Sequence, residues 1–125
     1  MSFPSFLITL TAKENNPNNV TIAFTMGVKA LEKGEDAAIL LLSDAVHLAK
    51  KGYADAIDIG APFKPIKELI PAFLEMGGKI KVCSACMIHN NISQEDGLLD
   101  NIEIINADDV IDYITNAKST LQLNS

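Results

Sequence analysis

An uninterrupted aliphatic run, Ala37 to Leu42, is the feature that most limits what this chain can fold into. Asp36 and Ser43 close the run at its two ends. A strand without polar alternation is typical of a parallel sheet that is covered on both faces. The run is far shorter than the roughly 20 apolar residues that a bilayer crossing requires. It therefore predicts a buried strand of a soluble α/β domain.

Strand-like and helix-like segments alternate around this run, with short connections between them. Predicted strands cover Phe6–Thr11, Ala38–Leu42, Lys79–Val82 and Ile102–Ile105, with a weaker edge strand at Ala56–Ile59. Predicted helices cover Val20–Leu31, Ala45–Lys51, a stripe from Ile66 to Leu74 that contains Pro71, and a last helix capped by Asn106 or Asp108. Such alternation favours a three-layer α/β domain with a mainly parallel sheet of about five strands.

Length and composition limit the organisation and the partners of the chain. One domain accounts for all 125 residues, with a polar and frayed tail expected from about Ser119. A net charge of −6 and the absence of a basic run argue against a nucleic-acid partner. No positive charge precedes the apolar stretch Phe6–Leu10, so neither a signal peptide nor a membrane partner is expected. We expect a cytoplasmic protein whose two cysteines stay reduced.

The segment most able to carry chemistry is the Cys-x-x-Cys motif of Cys83 and Cys86. Cys83 ends a predicted strand where a helix begins, so its thiol is expected to face free backbone N–H groups that favour the thiolate. Cys86 lies one helical turn further on. The spacing alone leaves redox, metal and carrier roles open, as well as a purely packing role. Its late position in the chain disfavours thioredoxin-type chemistry.

Other candidate residues follow the ends of predicted strands, where parallel sheets form their binding sites. The pocket candidates are Asn16, Asp44, Ala45, Ser84 and His89, although Asp44 is more readily interpreted as a helix N-cap. Cys83, Cys86, His89 and His47 could together ligate a metal, but zinc-site spacing is missing and each histidine alone suits a solvent-facing helix position. No metal is therefore predicted. Nucleotide-binding motifs are absent from the sequence, and no cofactor is expected.

Several of these segments resemble the DsrE/DsrF-like family of small sulfur-relay proteins. The likeness covers roughly Phe6 to Ile114 and includes Asn16-Pro17, Leu31-Glu32-Lys33-Gly34, and Gly77-Gly78 followed by a strand and Cys-x-x-Cys. Ser43-Asp44-Ala45-Val46 is similar to the family's Gly-Asp-Gly-Val turn with both glycines replaced. Asn90-Asn91-Ile92 stands where the family often has Arg-Gly-Ile.

The resemblance implies a flavodoxin-like parallel sheet and assembly into trimers or hexamers. It also implies that Cys83 carries a persulfide, with Cys86 as a second thiol that resolves or stabilises it, and that neither a metal nor an organic cofactor takes part. Sulfur would then pass from a donor protein to an acceptor protein.

Three hypotheses about function follow. The first is a sulfur carrier or sulfurtransferase that acts through Cys83. The second is a dithiol redox protein that uses Cys83 and Cys86 as a reversible disulfide. The third is a non-catalytic, oligomeric binding subunit in which both cysteines are packing residues. For that subunit, the apolar positions Ile22 and Met26 suit burial against a neighbouring copy or in the core equally well.

Overall fold

Strands and helices alternate in the computed structural model, which describes residues 2–125. The strands are β1 (Phe6–Leu10), β2 (Ala37–Leu41), β3 (Lys79–Cys83), β4 (Ile102–Ile105) and β5 (Ser119–Leu123). The helices are α1 (Pro17–Glu32), α2 (Ile66–Glu75), α3 (Ser84–His89) and α4 (Ala107–Asn116). One 3₁₀ segment, Ser43–Ala49, follows β2, and a short one, Gln94–Asp96, precedes β4.

All five strands are parallel and form one sheet in the order β4-β3-β2-β1-β5. The chain steps from β1 to β4 in one direction and then returns past β1 to place β5 at the opposite edge. Since crossovers between parallel strands are right-handed, the first three connections lie on one face of the sheet and α4 lies on the other. The expected three-layer domain is confirmed, and its strand order differs from the 2-1-3-4-5 order of flavodoxin.

Two hydrophobic clusters cover the two faces of the sheet. The larger one joins alternate residues of β1, β2 and β3 to α1 and α2, and includes Ile8, Ile39, Ile80, Phe24 and Phe73. The smaller one joins the intervening strand residues to α4, and includes Leu7, Leu40, Cys83, Val110 and Tyr113. All residues of β2 are buried, as the aliphatic run predicts. No helix within residues 2–125 has the length and apolar character needed to cross a bilayer.

The helix ends follow from local sequence. Asn16 caps α1, because its side-chain oxygen accepts the Asn19 backbone N–H at 3.2 Å. Gly34 lies just beyond the helix with φ +86°, a left-handed conformation that glycine adopts without steric cost. The helix α2 continues through Pro71, where the sequence left a break open. Of the two predicted caps for α4, Asn106 is the one used.

Phe73 is the central side chain between α1, α2 and the sheet. It is fully buried, and its ring meets that of Phe24 edge-on with centroids 6.0 Å apart. A Cβ on Gly78 would come within 2.5 Å of the Phe73 ring, and a Cβ on Gly27 within 2.8 Å. The absence of side chains at these two glycines therefore makes room for the ring.

Two predicted elements are wrong. Ala56–Ile59 is not a strand but the end of a turn and a loop, because the Asp58 carboxylate accepts the Gly60 N–H at 3.0 Å and bends the chain. Ile57 nevertheless packs in the core. The tail from Ser119 is not frayed, since it forms β5 and pairs with β1 over five residues. Leu121 and Leu123 contact the larger cluster and hold this edge strand in place.

Candidate functional site

Cys83 lies where the connections of two adjacent strands diverge to opposite faces of the sheet. It is the last residue of β3 and is paired in register with Ile105, the last residue of β4. The chain leaves β3 into α3, whose Met87 packs on the α1 and α2 face, and leaves β4 into α4 on the other face. Open parallel sheets bind ligands at such switch points, beyond the carboxyl ends of the strands.

The Cys83 side chain points into the smaller cluster and not toward the start of α3. Only 6% of the residue is exposed, and it packs in the same cluster as Leu7, Leu40 and Ile105. Cys83 occupies the N-cap position of α3, yet its thiol makes no capping hydrogen bond. The expectation that this thiol faces free backbone N–H groups is therefore wrong. Strand alternation explains the difference, because Val82 faces the α1 and α2 side and Cys83 faces α4.

Cys86 is the more accessible of the two thiols. It is half-buried on α3, packs against both clusters, and neither cysteine is in a disulfide. Burial raises the pKa of the Cys86 thiol, and the adjacent Cys83 thiol raises it further. The backbone N–H of Ser43 acts in the opposite direction and lowers the Cys86 pKa, although the net shift is upward. The Ser43 backbone therefore offsets only part of the effect of burial on the Cys86 pKa.

Asn90 connects the end of α3 to the 3₁₀ segment that follows β2. Its amide nitrogen donates to the Cys86 carbonyl at 2.9 Å and approaches the Ser43 carbonyl at 3.4 Å. Its amide oxygen lies 3.2 Å from Nε2 of His47. One side chain therefore links the two segments that flank the Cys86 thiol.

His47 belongs to a polar network and is not the solvent-facing helix residue that the sequence favoured. Its ring stacks on Tyr53 with centroids 5.3 Å apart, and the Tyr53 hydroxyl donates to Glu14 at 2.9 Å. Burial and the nearby Glu14 raise the pKa of Tyr53 to about 12, and the same hydrogen bond lowers the pKa of Glu14. Because Nε2 faces an amide oxygen, it carries the proton, and the buried Nδ1 has no hydrogen-bond partner.

The His47 ring makes stability depend on pH near neutrality. Burial and the charges of Lys50 and Lys13 lower the pKa of His47 below the usual histidine value of 6.5, against smaller opposing effects of Asn90 and Asp44. The unfolded chain then binds more protons than the folded one, so stability is full above pH 6.5 and falls as the pH drops through the folded pKa. We expect urea unfolding to show this loss between about pH 7 and pH 5. His47→Phe, which keeps a ring on Tyr53, should flatten the dependence, and an equally steep curve would contradict the assignment.

The remaining sequence candidates are dispersed. Asn16 is used as the α1 cap, and Ala45 is fully buried in the larger cluster. Asp44 is half-buried in the first turn of the 3₁₀ segment, whose N-cap is Leu42, so the N-cap interpretation of Asp44 is wrong. Ser84 is the first residue of α3 and is half-buried, and His89 is its last residue and is exposed. Of this group, Ser84 and His89 lie on the same short helix as Cys86.

The structure does not bring Cys83, Cys86, His89 and His47 together as the metal ligands that the sequence left open. Within residues 2–125, no group of three or more His, Cys, Asp and Glu side chains is placed to hold a metal ion.

Two residues beside the site adopt backbone conformations that are uncommon outside glycine. Ser43 has φ +54° and Asn91 has φ +58°. Both stand where the sequence resemblance expects glycine. The left-handed backbone conformation of the Ser43 position is therefore kept without a glycine.

The comparisons with known proteins agree with this architecture. The model of the DsrE/DsrF-like family matches residues 5–123. The chain belongs to this family. A relative in Methanopyrus kandleri, the uncharacterized protein MK0008, is 26% identical over 100 residues, which span 79% of this chain and 77% of the relative.

Solved structures share the DsrE/DsrF-like fold of this chain. The ychN protein of E. coli superposes with a TM-score of 0.77 and 18% identity, covering 94% of this chain and 97% of that protein. MTH1491 of Methanobacterium thermoautotrophicum, a protein of unknown function, has a TM-score of 0.67, 11% identity, and coverage of 94% and 96%. At these identities the likeness establishes the fold.

Proposed function

We propose that this DsrE/DsrF-like protein is a sulfur carrier that receives sulfane sulfur on Cys86 and holds it as a persulfide on Cys83. The observation that carries the proposal is the arrangement of the two thiols at the β3–β4 switch point. One thiol is half-buried and the other is 6% exposed, and both cysteines pack at the smaller cluster. An accessible thiol can meet a donor, and a buried neighbour can protect the sulfur from water.

The chemistry needs two exchanges between sulfur atoms and no net oxidation. The Cys86 thiolate attacks the outer sulfur of a donor R–S–SH, a new S–S bond forms on Cys86, and the donor leaves as R–S⁻. Cys83 then attacks that same outer sulfur. The Cys86–sulfur bond breaks, the persulfide moves to Cys83, and the Cys83 proton passes to Cys86. Reversal of these steps delivers the sulfur to an acceptor thiol.

Partners would reach Cys86 across the exposed side of α3. Ala85, Ile88 and His89 are exposed there, and Ile88 retains 79% of its accessible surface. Donor and acceptor proteins are the proposed partners, in a reducing cytoplasm that keeps both thiols free. A trimer or hexamer of this chain is the proposed assembly, and Met26, 38% exposed on α1, is available for such a contact.

The direct test is sulfur uptake by the reduced protein. After incubation with glutathione persulfide, we expect the intact mass to rise by one sulfur atom per chain, with the added atom located on Cys83 by peptide mapping. The Cys83→Ser/Cys86→Ser double variant should take up none. Failure of the wild-type protein to take up sulfur from this donor or from inorganic polysulfide would reject the carrier role. It would favour a structural subunit, which the burial of Cys83 also suits.

A dithiol redox role is the second candidate, and it is favoured by the packing of both cysteines at the smaller cluster, one helical turn apart. Equilibration with glutathione redox buffers distinguishes it from carriage. A Cys83–Cys86 disulfide that forms at the potential of the cytosolic glutathione pool would support the redox role. Persulfide formation without such a disulfide would support the carrier.

A further inference from the structure

We infer that the exposed sides of α3 and α4 form a docking surface for a partner protein whose own contact surface is positively charged around an apolar centre. This α3/α4 surface consists of Ile88 on α3 and of Asp108, Ile111 and Asp112 on α4. The inference rests on the proposed role of Cys86 as the receiving thiol. It names the kind of protein that would exchange sulfur with that thiol.

The two helices flank Cys86. The strands β3 and β4 end side by side at Cys83 and Ile105, which are paired in register, and α3 and α4 begin just beyond these ends. Val110, near the start of α4, packs in the same cluster as Cys83, and Cys86 packs against that cluster. A protein that approaches Cys86 from solvent therefore meets both helices.

The apolar part of the α3/α4 surface consists of Ile88 and Ile111. They keep 79% and 59% of their accessible surface and are the most exposed large hydrophobic side chains in the part of the chain that the structure describes. Single exposed apolar residues are common on proteins. These two differ from such cases in lying on the two helices beside the reactive thiol, where covering them would also cover Cys86.

The charged part of the surface is acidic. Residues 82–117 contain seven of the sixteen Asp and Glu residues and no Lys or Arg, although the net charge of the whole chain is only −6. Ion pairs compensate two of the seven, since Lys81 lies 3.0 Å from Glu103 and Lys51 lies 3.6 Å from Asp100. The negative charge of the chain is thus concentrated in the segment that contains both cysteines and both helices.

Asp108 and Asp112 bring this charge to the exposed side of α4. They are one turn apart, next to Ile111, and both are exposed. Within residues 2–125, neither carboxylate has a hydrogen bond or an ion pair. Their negative charges are therefore available to a partner.

Charge complementarity indicates which partner fits. Lysines or arginines on a partner would be attracted by the uncompensated carboxylates, which speeds encounter and orients the partner on the apolar pair. Nucleic acids and acidic proteins would be repelled. A second copy that used the same surface would place acidic faces against each other. A basic protein with an apolar centre in its contact surface is therefore the proposed occupant.

The test measures disulfide exchange between Cys86 and two peptides, in the full chain carrying Cys83→Ser so that one thiol reacts. Each peptide has one cysteine blocked by thionitrobenzoate, and the peptides differ only in having lysines or glutamates beside the same leucines. The Cys86 thiolate attacks the peptide sulfur, a Cys86–peptide disulfide forms, and coloured thionitrobenzoate leaves with the electron pair. Relative to the neutral thiol 2-mercaptoethanol, the lysine peptide should react with Cys86 roughly tenfold faster than the glutamate peptide.

Matched charge variants assign this preference to the α3/α4 surface. Asp108→Asn/Asp112→Asn should lower the preference by roughly threefold. Glu68→Gln/Glu75→Gln removes two exposed charges from α2, which covers the other face of the sheet, and should leave the preference unchanged. The comparison is made at about 0.1 M salt, where charges farther away than about 10 Å are screened, and the preference should disappear near 1 M.

The apolar part has its own variant. Ile88→Ser should slow the exchange of both peptides by roughly threefold without changing the preference for lysine, because the leucines lose a contact. Met76→Ser, which changes a residue 43% exposed beyond the end of α2, should slow neither peptide.

Equal rates for the two peptides, or a preference that Asp108→Asn/Asp112→Asn leaves unchanged, would overturn the inference. Exchange that slows as the protein concentration rises and recovers in Ile88→Ser would also overturn it, because a second copy would then cover the surface. The assay transfers no sulfane sulfur. Sulfur uptake without the lysine preference would retain carriage and reject the docking surface, and the preference without sulfur uptake would do the opposite.

Discussion

Cys86→Ser is expected to slow sulfur uptake by roughly 10- to 100-fold, whereas Cys83→Ser leaves the first transfer in place. The reason is access, since only 6% of Cys83 is exposed and a donor persulfide meets Cys86 first. The rate should also increase with pH, because the pKa of Cys86 is raised and the thiolate is the nucleophile. Quenched-flow mass spectrometry with glutathione persulfide measures the rate of the first transfer.

The two serine variants serve as controls for each other, because each removes one sulfur atom with little change in volume. In Cys83→Ser, the sulfur should remain on Cys86 and be removed by cyanide faster than from the wild-type protein. A Cys86→Ser protein that loads Cys83 at the wild-type rate would show that donors reach Cys83 directly. The proposed order of the two thiols would then be wrong.

Gly78→Ala is expected to destabilise the domain by about 3 kcal/mol. The added Cβ would lie 2.5 Å from Cζ of Phe73, a fully buried ring that also meets the Phe24 ring edge-on and closely approaches Gly27 of α1. The ring has nowhere to move without disturbing α1, so the strain falls on the packing between the helices and the sheet. Urea unfolding of the variant and the wild-type protein at pH 7.5 measures the difference.

A second substitution separates this contact from a backbone effect. Phe73→Leu should recover part of the loss in Gly78→Ala, giving a favourable coupling of about 1 kcal/mol in a double-mutant cycle. Gly77→Ala provides the control, because a Cβ there meets nothing within 4 Å but the residue has φ +96°. Its cost comes from conformation and should not respond to Phe73→Leu. Equal responses of both variants would contradict the packing account.

The sequence was most informative where burial is complete. The aliphatic run at β2 predicts a strand covered on both faces, and the structure buries all five residues of β2. Periodic apolar positions such as Phe24 and Phe73 likewise predict α1 and α2. These residues face the core whatever the arrangement of their neighbours, so local pattern alone identifies their elements.

The edges of the sheet were harder to predict. The strand β5 contains only two apolar residues, Leu121 and Leu123, and its serine, threonine and glutamine side chains are exposed. Such an edge strand has too little apolar character to be distinguished from a frayed tail. The predicted strand at Ala56–Ile59 failed for a different reason. Ile57 is buried, but a single buried side chain occurs in loops as well as in strands.

The candidate site could be located from the sequence but not described in detail. The motif at Cys83 and Cys86 indicates the correct strand end. The direction of the Cys83 side chain depends on which face of β3 the last residue occupies, and α4, which covers that face, comes much later in the chain. The contacts of Asn90 with His47 and Ser43 span more than 40 positions and have no local signature.

The pairing of β5 with β1 has a consequence for the biosynthesis of this domain. In the observed register, Phe6 lies opposite Ser119 and Leu10 opposite Leu123. The backbone groups on the outer edge of β1 therefore have no partner during synthesis until β5, more than 100 residues later, has been made. Until then the unpaired edge of β1 can form hydrogen bonds with strands of other chains. We therefore expect the partly synthesised domain to be prone to aggregation and to bind chaperones.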